Sequence, residues 1–300
     1  MIEPFYVNAF FFITGIFLFK KQLFSGLIEK KTSSFLKEES KKYWGSILYS
    51  IILPSILFAA VFYVPKILIK THDYRITSFV IGTIGGGTYW FTSALVVGYL
   101  LIFLLLLSRV KNIWFYFCCA CIFAPLGAYL GSISELPSWP WMYRQGLIAT
   151  IYLVSGGIFY KYENRILRNW KSVYTLGLGV LYVVFVLSGW AHYRCTTSLC
   201  SFNFLGYAVS VVGSFLLIEV CKRLPNSRFL AFVGENSILF YFLSGGFPLL
   251  AARIFGLLPF KNVISLMGVF LCSLLISVLF VMVVKKYFPF LKDFRLLKKN

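Results

Sequence analysis

The sequence predicts an all-α membrane protein, a polytopic transmembrane helical bundle of about nine spans. Three observations predict it. Hydrophobic residues make up 59% of the 300 positions and charged residues only 13%, with a mean hydropathy of +0.82. A soluble domain is roughly 45–50% apolar and about 25% charged, so this chain has too little polar surface to cover a water-soluble core. Apolar runs long enough to cross about 30 Å of hydrocarbon recur along its whole length. Finally, 22 of the 29 Lys and Arg residues gather at alternate breaks between the runs, as expected when cations stay with one face of a bilayer.

The first run, at about 4–20, opens MIEPFYVNAFFFITGIFLFKK. Glu3 is the charge before it, and Lys20 and Lys21 come after. A secretory signal has the opposite polarity, so the run reads as a span. The loop at 20–43 alternates Lys with Glu29, Glu38 and Glu39, in the manner of a surface amphipathic helix. Further spans fall at about 44–65, 87–108, 113–132, 145–160, 172–190, 203–221, 231–252 and 262–284. Gly85 to Gly87 mark a flexible start to the third. There is no internal repeat and no appended soluble segment, so residues 1–300 read as a single integral-membrane domain.

Placing the N-terminus outside gives the cytoplasmic side seven cations between Lys20 and Lys42, then Arg109 and Lys111. It also gives that side four from Lys161 to Lys171, then Lys222, Arg223 and Arg228, and six from Lys285 to Lys299. The external set is Lys66, Lys70, Arg75, Arg144, Arg194, Arg253 and Lys261. The C-terminus is then cytoplasmic. Cations holding topology against an anionic lipid bilayer account for the net charge of +19 without any nucleic acid. The sharper alternative is that the 20–43 loop also draws in an anionic cytosolic substrate.

Cys195 and Cys200, in HYRCTTSLCS, fall in an external loop where an oxidising compartment could join them. Cys118, Cys119 and Cys121 lie inside a span; two thiols on one face without other ligands make a poor metal site, so packing is their role and no metal is expected. The two histidines, His72 and His192, sit in external loops or at span ends. No P-loop, nucleophile elbow, zinc-protease or dinucleotide motif is present.

Polar residues within spans are costly in lipid and therefore informative. Asn8 and Gly15 lie seven apart on one face of the first span, with Thr14 beside them. In GGGTYWFTSALVVGYLL, Tyr89 and Ser93 stand at i and i+4, with Trp90 adjacent. In GENSILFYFLSGG, Ser237, Tyr241 and Ser244 form a stripe at i, i+4 and i+7. Such hydroxyls commonly join helices, at about 0.6–2 kcal/mol each. The alternative is a polar cavity lined by Asn8, Trp90, Ser93, Ser237, Tyr241 and Ser244.

These stretches resemble a family. NAFFFITGIFLFKKQ is similar to the FFF-x-SG segment that forms the second span of the family-3 integral-membrane acyltransferases. TYWFTSALVVGYLL resembles their W-F-x-x-A-L span, and Gly234, Ser237 and Tyr241 carry their late G-x-x-S-x-x-x-Y-x-x-H segment, with Ser244 in place of the histidine. The resemblance implies a ten-helix bundle with both termini cytoplasmic, and an Arg and a His on a first helix. This chain opens where that family's second helix opens, so it is expected to lack the first helix and the acyl-transfer histidine. A second departure is that no Arg precedes Pro54. The implied reaction moves an acyl group, commonly acetyl, from cytosolic acyl-CoA to a hydroxyl of a surface polysaccharide or lipid-linked sugar. The implied location is the bacterial plasma (inner) membrane. Arg223, Arg228, Gly234 and Asn236 are the residues expected to receive the phosphates of the donor, through side chains and helix N–H groups. A lipid-linked-sugar transporter or flippase, or a non-catalytic membrane partner, is the competing reading.

Overall fold

The computed structural model describes residues 6–20, 33–68, 76–108, 110, 112–133, 140–168, 170, 172–188, 202–225, 227–244, 246–256, 262–291 and 293–295. Among these residues the chain is helical throughout, with turns between helices and no strand. Five helical segments are long and apolar enough to cross a bilayer: Ser40–Val64, Trp90–Leu107, Ile113–Ser132, Phe204–Arg223 and Leu266–Tyr287. Val7–Lys20 and Val173–Leu187 are shorter apolar helices. The chain forms two compact units, one of residues 1–43 and 93–224, the other of residues 44–92 and 225–300.

The first unit is built around one buried helix. Its elements are α1 (Tyr6–Lys20), the start of α2 (Ser33–Ile47), α5 (Trp90–Leu107) from Ser93, α6 (Ile113–Ser132), α7 (Tyr143–Leu167), α8 (Ser172–Leu187) and α9 (Phe204–Arg223). Nearly every residue of α7 from Arg144 to Phe159 is buried. A helix enclosed on all sides is the core of its bundle. Glycines bring its neighbours close. A Cβ on Gly156 would strike the carbonyl oxygen of Phe12, and one on Gly15 the carbonyl of Leu153, so α1 and α7 cross backbone to backbone. A Cβ on Gly98 of α5 would stand 2.7 Å from Leu153 Cδ1, and one on Gly127 of α6 would stand 2.6 Å from the Arg144 carbonyl. Small residues at such crossings are how helices associate where lipid supplies no hydrophobic drive.

α9 runs in the same direction as α7. Ser155 meets Tyr207, Phe159 meets Phe215, and Glu163 meets Lys222, in ascending order along both helices. Two spans with a single span between them must run that way. Asn112 and Asn203 cap α6 and α9, accepting the N–H of Trp114 at 3.1 Å and of Leu205 at 2.9 Å.

The second unit contains the rest of α2, a π-helical turn at Leu48–Ile52, α3 (Leu53–Leu68) and α4 (Ile76–Thr83). It continues with α10 (Arg228–Glu235), α11 (Ser237–Leu243), α12 (Phe247–Gly256), α13 (Asn262–Tyr287) and a 3-10 turn at Pro289–Leu291. Its core joins Phe58 and Phe62 of α3, Tyr89, Leu239 and Phe242 of α11, and Val281 and Val284 of α13. Phe58 stacks on Phe242 with ring centroids 5.2 Å apart. Near the C-terminus, Asp293 takes the Arg295 guanidinium, which also reaches Ser46 Oγ at 3.2 Å. Those hydrogen bonds to Asp293 hold the Arg295 guanidinium above its usual range.

The expected continuous span at 231–252 is instead three short helices. The breaks fall at Asn236 and around Ser244–Gly246. Asn236 donates its side-chain amide to the Phe232 carbonyl at 2.8 Å, and Ser244 Oγ donates to the Tyr241 carbonyl at 2.6 Å. Short polar side chains that bond nearby backbone compete with helix continuation. The other helices agree with the expected spans to within a few residues, apart from the helical run through 44–65, which already begins at Ser33, a longer helix around 145–160, and the additional α4.

Candidate functional site: buried polar side chains in each unit

In the first unit the buried polar groups centre on α7 and α9. Asn8 of α1 is 1% exposed and donates from Nδ2 to Ser210 Oγ of α9 at 3.1 Å. Ser214, one turn further along α9, returns its hydroxyl to the Ser210 carbonyl at 2.7 Å. Ser155 of α7 and Tyr207 of α9 lie 2.6 Å apart, and Ser155 Oγ also bonds the Ile151 carbonyl at 2.6 Å. Because the serine proton goes to that carbonyl, Tyr207 donates to Ser155. Ser93 of α5 is buried, as are Arg144, Gln145 and Thr150 of α7.

Arg144, counted in the external set next to the 145–160 span, lies in the first turn of α7, 6% exposed, with Nε 3.3 Å from the hydroxyl of Tyr143. The residues just before it, Trp141 and Met142, take positive φ values of 59° and 50°. Non-glycine residues are uncommon there, and the pair turns the chain sharply into α7. A buried arginine beside a buried glutamine is a functional candidate that charge counting passes over. The available signal was the order of residues: an Arg-Gln pair opening an apolar run after three closely spaced aromatics, in WPWMYRQG.

In the second unit, tyrosines tie helix ends together. Tyr89, just before α5, is 3% exposed and donates its hydroxyl to the Phe242 carbonyl at 2.7 Å. Tyr241 of α11 accepts the backbone N–H of Phe91 at 3.3 Å. Its hydroxyl oxygen thus serves an orphan donor at the start of α5. Thr92 receives Ser55 Oγ at 3.1 Å and passes its own hydroxyl to the Tyr89 carbonyl at 2.9 Å. Trp90 is partly buried next to Phe91. Ser237 and Ser244 are exposed at the two ends of α11, while the buried face of that segment carries Asn236, Leu239, Phe242 and Leu243.

The residues expected to receive phosphate divide between the units. Arg223 ends α9 and donates Nη2 to Thr175 Oγ1 at 3.1 Å. Arg228 is exposed in the first turn of α10, behind the Ser227 cap. Gly234 is exposed, with open space where a Cβ would stand. Asn236 is 1% exposed, and its backbone N–H goes to the Phe232 carbonyl at 3.3 Å. That donor is already engaged within the helix.

Cys118, Cys119 and Cys121 are unbonded, and among the described residues no cluster of three metal-ligating side chains occurs. Cys195, Cys200, His72 and His192 lie outside the described residues.

No curated protein and no solved structure matches the chain. The sequence profile of the third acyltransferase family, described as an acyltransferase domain, matches residues 1–283. An all-helical architecture with long apolar helices, matched by that profile over nearly its whole length, makes this chain a member of the family-3 acyltransferases and a multi-pass membrane protein.

Proposed function

We propose that this protein is a membrane-embedded O-acyltransferase. It takes an acyl group, acetyl in the first instance, from cytosolic acyl-CoA and places it on a hydroxyl of a surface polysaccharide or lipid-linked sugar at the bacterial plasma membrane. The observation that carries this reading is the family match across residues 1–283. In the reaction the acceptor oxygen attacks the thioester carbonyl, an ester C–O bond forms, and the C–S bond breaks. The proton lost by the hydroxyl leaves with the coenzyme A thiol.

That proton needs a base with a pKa near neutrality, which histidine supplies. The histidines of this chain are His72 and His192, so His72→Gln and His192→Gln are the first substitutions to make. For the donor phosphates, the reading rests on the exposed Arg228 at the head of α10 and the open backbone at Gly234. The test uses protein in lipid nanodiscs with labelled acetyl-CoA and a glycan extract. Label should enter the glycan with stoichiometric release of thiol. Arg228→Gln should raise the KM for the donor and leave kcat unchanged. A folded protein that releases no thiol above the empty-nanodisc rate, with or without acceptor, refutes the proposal.

A further inference from the structure

The first unit has an open crevice of about 390 Å³ between α1, α6, α7, α8 and α9, within the size range of small-ligand sites. Phe12, Phe117, Phe159, Leu178, Val211 and Phe215 form its walls, with Trp114 and Trp170 beside them. Its polar groups are already engaged: Tyr207 with Ser155 at 2.6 Å, and Trp170 Nε1 with Thr175 Oγ1 at 2.9 Å. A sugar placed here would find few partners for its hydroxyls, and an unpaired buried hydroxyl is costly. The crevice suits hydrocarbon and does not suit the glycan acceptor.

One end of the crevice is charged. Thr175 is 9% exposed and holds the Arg223 guanidinium at 3.1 Å while accepting the Trp170 indole. Lys222 lies 6.0 Å from the centre of the Phe159 ring, but its charge is met by Glu163 at 2.8 Å and Glu219 at 3.5 Å. Arg223 has no carboxylate partner among the described residues. An apolar slot with a guanidinium linked to its edge through Thr175 and Trp170, at the end of α9 where the cation count places the cytoplasm, is complementary to an amphiphile with an anionic head.

We propose that this crevice seats one acyl chain of an anionic phospholipid, with the lipid phosphate on Arg223. The proposal stands whether or not the protein transfers acyl groups. Trp114 and Trp170 provide the readout, because a brominated acyl chain quenches the indole it touches. The full chain is reconstituted in phosphatidylcholine containing a small mole fraction of chain-brominated phosphatidylglycerol or, in a parallel sample, chain-brominated phosphatidylcholine.

The anionic lipid should quench more strongly, and the excess should vanish in Trp114→Phe/Trp170→Phe. In Arg223→Gln the preference for the anionic lipid should fall about five-fold, the effect of one cation at a membrane surface. Equal quenching by the two head groups overturns the proposal, as does an excess that survives Arg223→Gln. Displacement of the brominated lipid by palmitoyl-CoA at equal concentration also overturns it, by making the occupant an acyl donor. Arg223 is exposed, and circular dichroism of Arg223→Gln shows whether a lost preference comes from lost folding.

Discussion

The crossing of α1 and α7 can be tested by adding a single methyl group. In Gly156→Ala the new Cβ would lie 2.9 Å from the Ile16 nitrogen, and closer still to the Phe12 carbonyl oxygen. Ordinary van der Waals contact begins at 3.4 Å, so the helices must part by at least 0.5 Å at Ile16 and by more at Phe12. Both obstacles are backbone atoms, which no rotamer change can move aside. Overpacking of this kind costs about 1–3 kcal/mol, and a rigid obstacle places the cost toward the upper end. At about 2 °C of Tm per kcal/mol for a chain of this size, Gly156→Ala should melt about 4–6 °C below the wild type. The assay is thermal unfolding in one detergent, followed by circular dichroism. Gly177→Ala in α8 is the control, since nothing lies within 4 Å of its Cβ position. It removes a helix glycine and should leave Tm unchanged or slightly raised. A Gly156→Ala protein that melts with the wild type, or a Gly177→Ala protein that falls as far, would refute the close crossing. Gly15→Ala attacks the same contact from the other side. The double variant should therefore cost less than the sum of the two singles, because one separation of the helices serves both.

Other consequences can be measured with the same melts. Tyr89→Phe removes the donor to the Phe242 carbonyl and should cost about 1–3 kcal/mol, because a buried acceptor is left unmet. Tyr241→Phe strips the Phe91 N–H of its partner and should cost a similar amount. Lys222→Met should cost about 1–2 kcal/mol by leaving the buried Glu219 carboxylate without its cation, less than a fully buried pair because Lys222 is itself partly solvated. Adding Glu219→Gln should recover most of that loss, whereas Glu163→Gln, on a more exposed side chain, should recover little.

Composition and cation spacing sufficed for the architecture because both are summed along the chain. A span such as 113–132 appears as Ile113–Ser132 since its ends carry charge or a capping Asn112. The breaks in the eighth expected span escaped because Asn236 and Ser244 act through single hydrogen bonds, which an average over a window of apolar residues does not register. Proline at 248, after Gly245 and Gly246, was the readable sign, since proline suits a helix start and not its interior. The burial of Arg144 was illegible for a related reason: counting charges by side of the membrane does not register whether an arginine at a span end is solvated. Of the residues proposed from the sequence, Asn8 and Ser93 are buried in the first unit and Tyr241 joins two helices of the second, while Ser237 and Ser244 are exposed. The crevice was not readable at all. Its walls come from five helices, so the periodic lining residues of each one, such as Tyr207, Val211, Val212 and Phe215 of α9, look like an ordinary packing face until the other helices are in place.

The enclosure of α7 also bears on how the protein is made. The helix begins with Arg144 and Gln145 and closes with Lys161, Glu163 and Arg165, and it is absent from the segments apolar enough to span by themselves. A nascent chain meets the translocon one segment at a time, and α7 offers it a weak case for leaving into lipid. Its preceding neighbour α6, apolar and packed along it in the finished unit, would have to wait at the lateral gate and carry it across as a pair. In a glycosylation-mapping insertion assay α7 alone should stay out of the membrane, and α6–α7 together should integrate. The helix most sheltered in the mature bundle is then the one whose biogenesis depends most on the order of synthesis.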